Sequence, residues 1–178
     1  MINRRETIQR LSLLLGGALS TQVTAGLMGQ VLNKGASLNV DDHQRALLAD
    51  LTDVIIPDTG TPGAKAAGVE EFIIRVMRDC YELKDQQFFY AGLAELDAGS
   101  QAAHQKSFVD LESPAKQTMV KDLIKSNRPF FNQMRQLTVT GYFTSEIGAT
   151  QALDYLPVPG RFEGDIPLTP EQKTWALR

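Results

Sequence analysis

Cysteine is nearly absent from this sequence: Cys80 stands alone, so no intrachain disulfide can form and a haem cannot be attached through two thioethers. Histidine is almost as scarce. His43 and His104 lie far apart, and no Cys or His pair has metal-ligand spacing. His43 reads as a solvent-facing residue of a first helical turn, His104 as a loop or helix-end residue, and Cys80 as a small apolar core residue. A G-x-S-x-G nucleophile elbow is missing, and so is a dinucleotide fingerprint in its strand-turn-helix setting. The run from Gly63 to Gly68 has the glycine spacing of a phosphate loop, but Val69 and Glu70 stand where a lysine and a hydroxyl are required. Basic charge is also lacking. Residues 1–25 carry three arginines against one glutamate, so of the formal net charge of −3 the remaining chain holds −5. A body of that sign repels a phosphate backbone, which excludes nucleic acid as a partner.

The chain has no long unbroken apolar run, yet its beginning is patterned. Arg4, Arg5 and Arg10 precede a stretch from Leu11 to Asn33 with no charged residue, and Val23-Thr24-Ala25 offers small residues for a signal-peptidase cut after Ala25. The apolar heart is diluted by Gly16, Gly17 and hydroxyls, which makes it weaker than a membrane span needs. Paired Arg4-Arg5 ahead of a modest apolar run is similar to a twin-arginine leader, with Thr7 departing from the usual pattern. Residues 1–39 are therefore expected to be a signal segment and linker. An uncleaved Leu11–Leu32 helix serving as an anchor is the alternative.

From residue 40 to 150 apolar residues recur at helical spacing, and period-two alternation is missing. Asp41 or Asp42 caps a helix with Leu47, Leu51, Val54 and Ile55 on one face, and Pro57 ends it. A loop of about a dozen residues, longer than most connections in a compact domain, follows with Pro57, Gly60, Pro62, Gly63 and Gly68. A second helix presents Val69, Phe72, Ile73, Val76, Met77 and Cys80; a third presents Phe88, Phe89, Leu93 and Leu96, with a break expected at Gly99-Ser100. Ser113-Pro114 opens a fourth with Met119, Val120, Leu123 and Ile124, and Pro129 a fifth with Phe130, Phe131, Met134 and Leu137, ending near Gly141. The expected fold is all-α, a small bundle or orthogonal array of about five helices. Residues 151–178 hold half of the prolines together with Tyr155, Leu156, Val158, Phe162, Ile166, Leu168 and Trp175. Such a tail is extended and too apolar to lie bare in solvent.

Two motifs carry a resemblance. Ile55-Ile56-Pro57-Asp58-Thr59-Gly60-Thr61-Pro62-Gly63-Ala64, continuing to Ala67-Gly68-Val69, resembles the opening motif of the gluconate 2-dehydrogenase subunit 3 family. Gly141-Tyr142-Phe143-Thr144-Ser145-Glu146-Ile147-Gly148-Ala149-Thr150, with Tyr155 and Pro157-Val158-Pro159-Gly160, is similar to its C-terminal signature. The resemblance implies a non-catalytic small subunit of a periplasmic, membrane-associated dehydrogenase. The FAD would lie in a large subunit of the glucose-methanol-choline type, a cytochrome c can form a third subunit, and this chain itself would hold no cofactor. It further implies that Arg4 and Arg5 address the twin-arginine translocase on behalf of both chains. Gly60 stands where relatives often carry an acid. Tyr142, Phe143, Tyr155, Pro157, Pro159, Phe162 and Trp175 are the expected contacts with the large subunit, with the Pro57–Gly68 loop nearby. Two other readings stay open: a self-contained envelope protein, and an enzyme using Glu146, Asp154 or His104.

Overall fold

The computed structural model describes residues 38–155, 158, 160, 167 and 170–175. Five α-helices run through the described residues: α1 (Asp42–Ile55), α2 (Val69–Cys80), α3 (Leu83–His104), α4 (Ser113–Ser126) and α5 (Arg128–Thr144). A 3₁₀ turn, Phe108–Asp110, joins α3 to α4, and a π turn, Gly148–Ala152, follows α5. The expected all-helical array is thus the observed one.

Helix α1 begins with a reciprocal cap. The Asp41 carboxylate accepts from the Gln44 N–H at 2.7 Å while the Gln44 side chain accepts from the Asp41 N–H at 3.2 Å. It then runs through the middle of the array and packs against all four other helices. This explains why six successive residues, Leu47 to Thr52, are buried, where an amphipathic surface helix would bury only a stripe. Leu48, Leu51, Ile73, Phe89, Leu93, Phe108, Phe130 and Met134 fill the centre with no exposed surface.

Four local expectations need correction. Cys80 is exposed, because α2 keeps its azimuth but its last turn, Arg78 to Cys80, runs past the edge of the core that Val69, Ile73 and Met77 enter. Gly99-Ser100 does not break α3. The Ser100 hydroxyl is satisfied by donating to the Lys106 carbonyl at 2.8 Å, Gly99 lies beside α4, and the helix continues to His104 before Gln105 closes it in the left-handed region. Gly141 does not end α5. A Cβ there would lie 2.7 Å from the Phe72 ring, so this glycine lets α5 and α2 approach, and the helix runs on to Thr144. Phe88 and Ile124 are exposed, since the buried faces of α3 and α4 are centred on Phe89, Leu93 and Leu96, and on Val120 and Leu123.

Among the described residues no helix is long and apolar enough to cross a membrane. Arg4, Arg5 and the Leu11–Leu32 segment lie outside the described residues.

Candidate partner interface

The two motifs, some eighty positions apart, come together in space. The first forms the connection from α1 to α2. It is folded on itself: Ala64 N–H donates to the Ile56 carbonyl at 2.9 Å, Thr59 N–H to the Thr61 carbonyl at 3.1 Å, and Ala67 N–H to the Gly63 carbonyl at 3.1 Å. Ala64 is fully buried beneath it, while Pro57 to Gly60 form an exposed tip. Gly68 leaves the loop at φ +66°, a conformation that favours glycine, and α2 begins at the next residue.

The second motif is the end of α5 and the turn after it. Ser145 stops the helix by donating its hydroxyl to the Tyr142 carbonyl at 2.7 Å and accepting from the Gly148 N–H at 3.0 Å. Gly148 permits this fold-back, since a Cβ there would sit 1.9 Å from the Tyr142 carbonyl oxygen. The hinge between the motifs is Tyr142, whose phenol donates to the Pro62 carbonyl at 2.7 Å. Its side chain is 2% exposed, so this aromatic belongs to the chain's own core. It closes the motif pair from within, because burying the hydroxyl requires the partner that Pro62 supplies.

Phe143, its neighbour, points outward. Its ring stands edge-on to Tyr142 at 5.1 Å and is 38% exposed, and Val139, one turn earlier, is equally open. Tyr155 is 44% exposed and Val158 80%. The tail's far end returns to this region: Trp175 pairs with Asp154 in a single parallel bridge, with Asp154 N–H donating to the Thr174 carbonyl at 2.9 Å and the Lys173 ammonium to the Gln151 carbonyl at 2.7 Å. Pro157, Pro159 and Phe162 lie outside the described residues.

A charged group that the sequence reading missed braces the loop from below. Asp50, 7% exposed on the central helix, accepts from Lys65 at 2.6 Å on one oxygen and from Lys116 at 2.6 Å on the other. Burial pushes its carboxyl up, but the two ammonium groups together outweigh this and hold it below the usual carboxylate range. Lys65 is raised by its bond to Asp50, against desolvation, with Asp53 and Glu70 adding to the effect. Nothing in the helical period singles out Asp50; the available signal was one carboxylate inside an apolar face, which demands a cation.

The residues considered for catalysis are not assembled. His43 bonds the Asp97 carboxylate at 3.0 Å, and the same carboxylate accepts from Ser107 at 2.6 Å and from the Phe108 N–H at 2.8 Å, an arrangement that ties α1, α3 and the 3₁₀ turn together. His104 is exposed at the end of α3, and Glu146 is exposed beyond α5. Neither of the two described hollows, a groove of about 220 Å³ between α3 and α4 and a hollow of about 90 Å³ beside Asp50, is lined by His104, Glu146 or Asp154. Among the described residues no three His, Cys, Asp or Glu side chains stand together as metal ligands would.

Compared with known proteins, residues 42–160 match the family model described as Gluconate 2-dehydrogenase subunit 3. No curated protein and no solved structure matches the chain. The matched span begins at α1 and takes in both motifs, the Asp50 brace and the Tyr142 hinge.

Proposed function

The chain belongs to the gluconate 2-dehydrogenase subunit 3 family, an accessory subunit and not an enzyme in its own right, and from that premise we propose that it escorts and stabilises a periplasmic, membrane-associated flavoprotein. The partner is a large FAD-dependent subunit of the glucose-methanol-choline type, and the chemistry is the partner's. Docking uses the paired motifs: the Pro57–Gly60 tip, Phe143, Tyr155, and the tail residues Pro157, Pro159, Phe162 and Trp175. A cytochrome c can complete the assembly. The leader with Arg4 and Arg5 carries both chains through the twin-arginine translocase.

The observation that supports this reading is the pairing of two distant motifs by the Tyr142 to Pro62 bond, with Phe143 left open beside it. Exposed aromatics next to an internally bonded loop are what a protein interface uses as anchors. The test is co-expression of this chain with the flavoprotein encoded next to it. A stoichiometric, coloured complex is expected to co-purify, and Phe143→Ser with Tyr155→Ser is expected to weaken it at least about tenfold, as loss of central aromatic anchors does. Full recovery of the complex by that double variant would remove the docking assignment.

A further inference from the structure

The first motif loop carries one cation, Lys65, and its ammonium reaches the buried Asp50 carboxylate at 2.6 Å. We infer that Lys65 is a positioning residue that locks the Pro57–Gly68 loop to the buried Asp50 carboxylate and so presets the loop for docking. The inference rests on the docking reading above and adds to it a residue whose part is to hold the loop in place.

Three observations carry it. The loop is held at two points outside its own hydrogen bonds: Tyr142 grips the Pro62 carbonyl at 2.7 Å, and Asp50 grips the Lys65 ammonium at 2.6 Å. The two cations on Asp50 are unlike. The Lys116 side chain is 15% exposed and its ammonium lies 5.9 Å from the Phe108 ring, whereas the Lys65 side chain is 55% exposed and comes from the loop itself. Removing Lys65 therefore leaves Asp50 with a buried ammonium on its second oxygen, and the core keeps its charge balance. Thirdly, Lys65 stands amid the carboxylates of Asp50, Asp53 and Glu70, and one Glu70 oxygen is buried without a hydrogen-bond partner. Without the cation the loop loses its ionic tie to the two flanking helices, and local opening of the loop costs less.

A floppy loop must be ordered at the moment of binding, and that ordering subtracts from affinity. Lys65 thus contributes to docking through the free state of the small subunit, by removing the alternatives the loop would otherwise sample.

The test uses the full chain, alone and with the co-expressed flavoprotein. In Lys65→Met the aliphatic stem is kept and only the charge goes. Amide exchange at Thr59, Ala64 and Ala67 is expected to quicken about tenfold or more, the scale of one charge-assisted bond, while amides of α1 and α5 keep their rates. Affinity for the flavoprotein is expected to fall by a similar factor, and Lys65→Arg is expected to restore both. Unchanged loop exchange in Lys65→Met overturns the lock. Faster exchange with undiminished affinity overturns the link between loop order and docking. Failure of the docking reading itself is told apart by the Phe143 and Tyr155 variants, which do not touch Asp50.

Discussion

A carboxylate in the middle of the central helix loses its water, and Asp50 is stable there because two ammonium groups replace it. The consequence for pH follows from the shifts. Asp50 is held below the ordinary 3.8, so its contribution to stability is fully present above that value and is lost as pH falls through the depressed folded pKa. Asp97 behaves likewise. Burial pushes it up, but its bonds from Ser107, His43 and the Phe108 N–H outweigh that and lower it. Lys65 is raised, so its contribution is complete below 10.5 and is lost only as pH rises through its raised folded value. Between these limits Asp50 and Lys65 both stay charged. Urea unfolding between pH 6 and pH 2 is expected to show a fall below about pH 4. That fall is expected to be shallower in Asp50→Asn, and equal slopes in the two proteins would contradict the assignment. Residue roles of this kind were the least legible in the sequence. Tyr142, expected from its motif to contact the large subunit, is core, and Cys80, expected in the core, is exposed. Periodicity gives an azimuth on a helix and says nothing of where along its axis the core stops.

The helices themselves were legible because each α-helix shows an apolar face, and three also carry a start signal, the Asp41 cap of α1 and the proline in the first turn of α4 and α5. What the period hides is contact between elements. A glycine inside a helix is read as a stop unless the neighbour that needs the space is known, and Gly141 has Phe72 above it. The joining of the two motifs is invisible for the same reason: it rests on one phenol and one carbonyl, in residues eighty apart. Replacing Tyr142 by Phe leaves the Pro62 carbonyl without its donor and is expected to cost about 1–2 kcal/mol in denaturant unfolding. Gly148→Ala is expected to cost about 1–3 kcal/mol or more, because its Cβ meets the immovable Tyr142 backbone, and the turn must open. Gly60→Ala at the exposed tip has nothing within 4 Å of its Cβ and is expected to leave stability within about 0.5 kcal/mol. Equal losses at Gly60 and Gly148 would mean that the fold-back after α5 is not fixed by close packing.

A basic, then uncharged, beginning is joined to an acidic helical body whose central helix packs against each of the other four. Phe143, Tyr155 and Val158 are left as exposed apolar surface, the surface that the proposed flavoprotein partner would cover. If this chain escorts a flavoprotein, a translocase that moves folded proteins would carry a docked partner without its own leader along with it. If Arg4 and Arg5 serve both chains, conservative replacement of both by lysine keeps the charge and removes only what the translocase reads. The flavoprotein is then expected to accumulate in the cytoplasm, bound to this chain, when cell fractions are assayed for both. A flavoprotein that still reaches the periplasm beside an arrested small subunit would refute the escort role, and the docking surface could be retained only as a stabilising contact made after export.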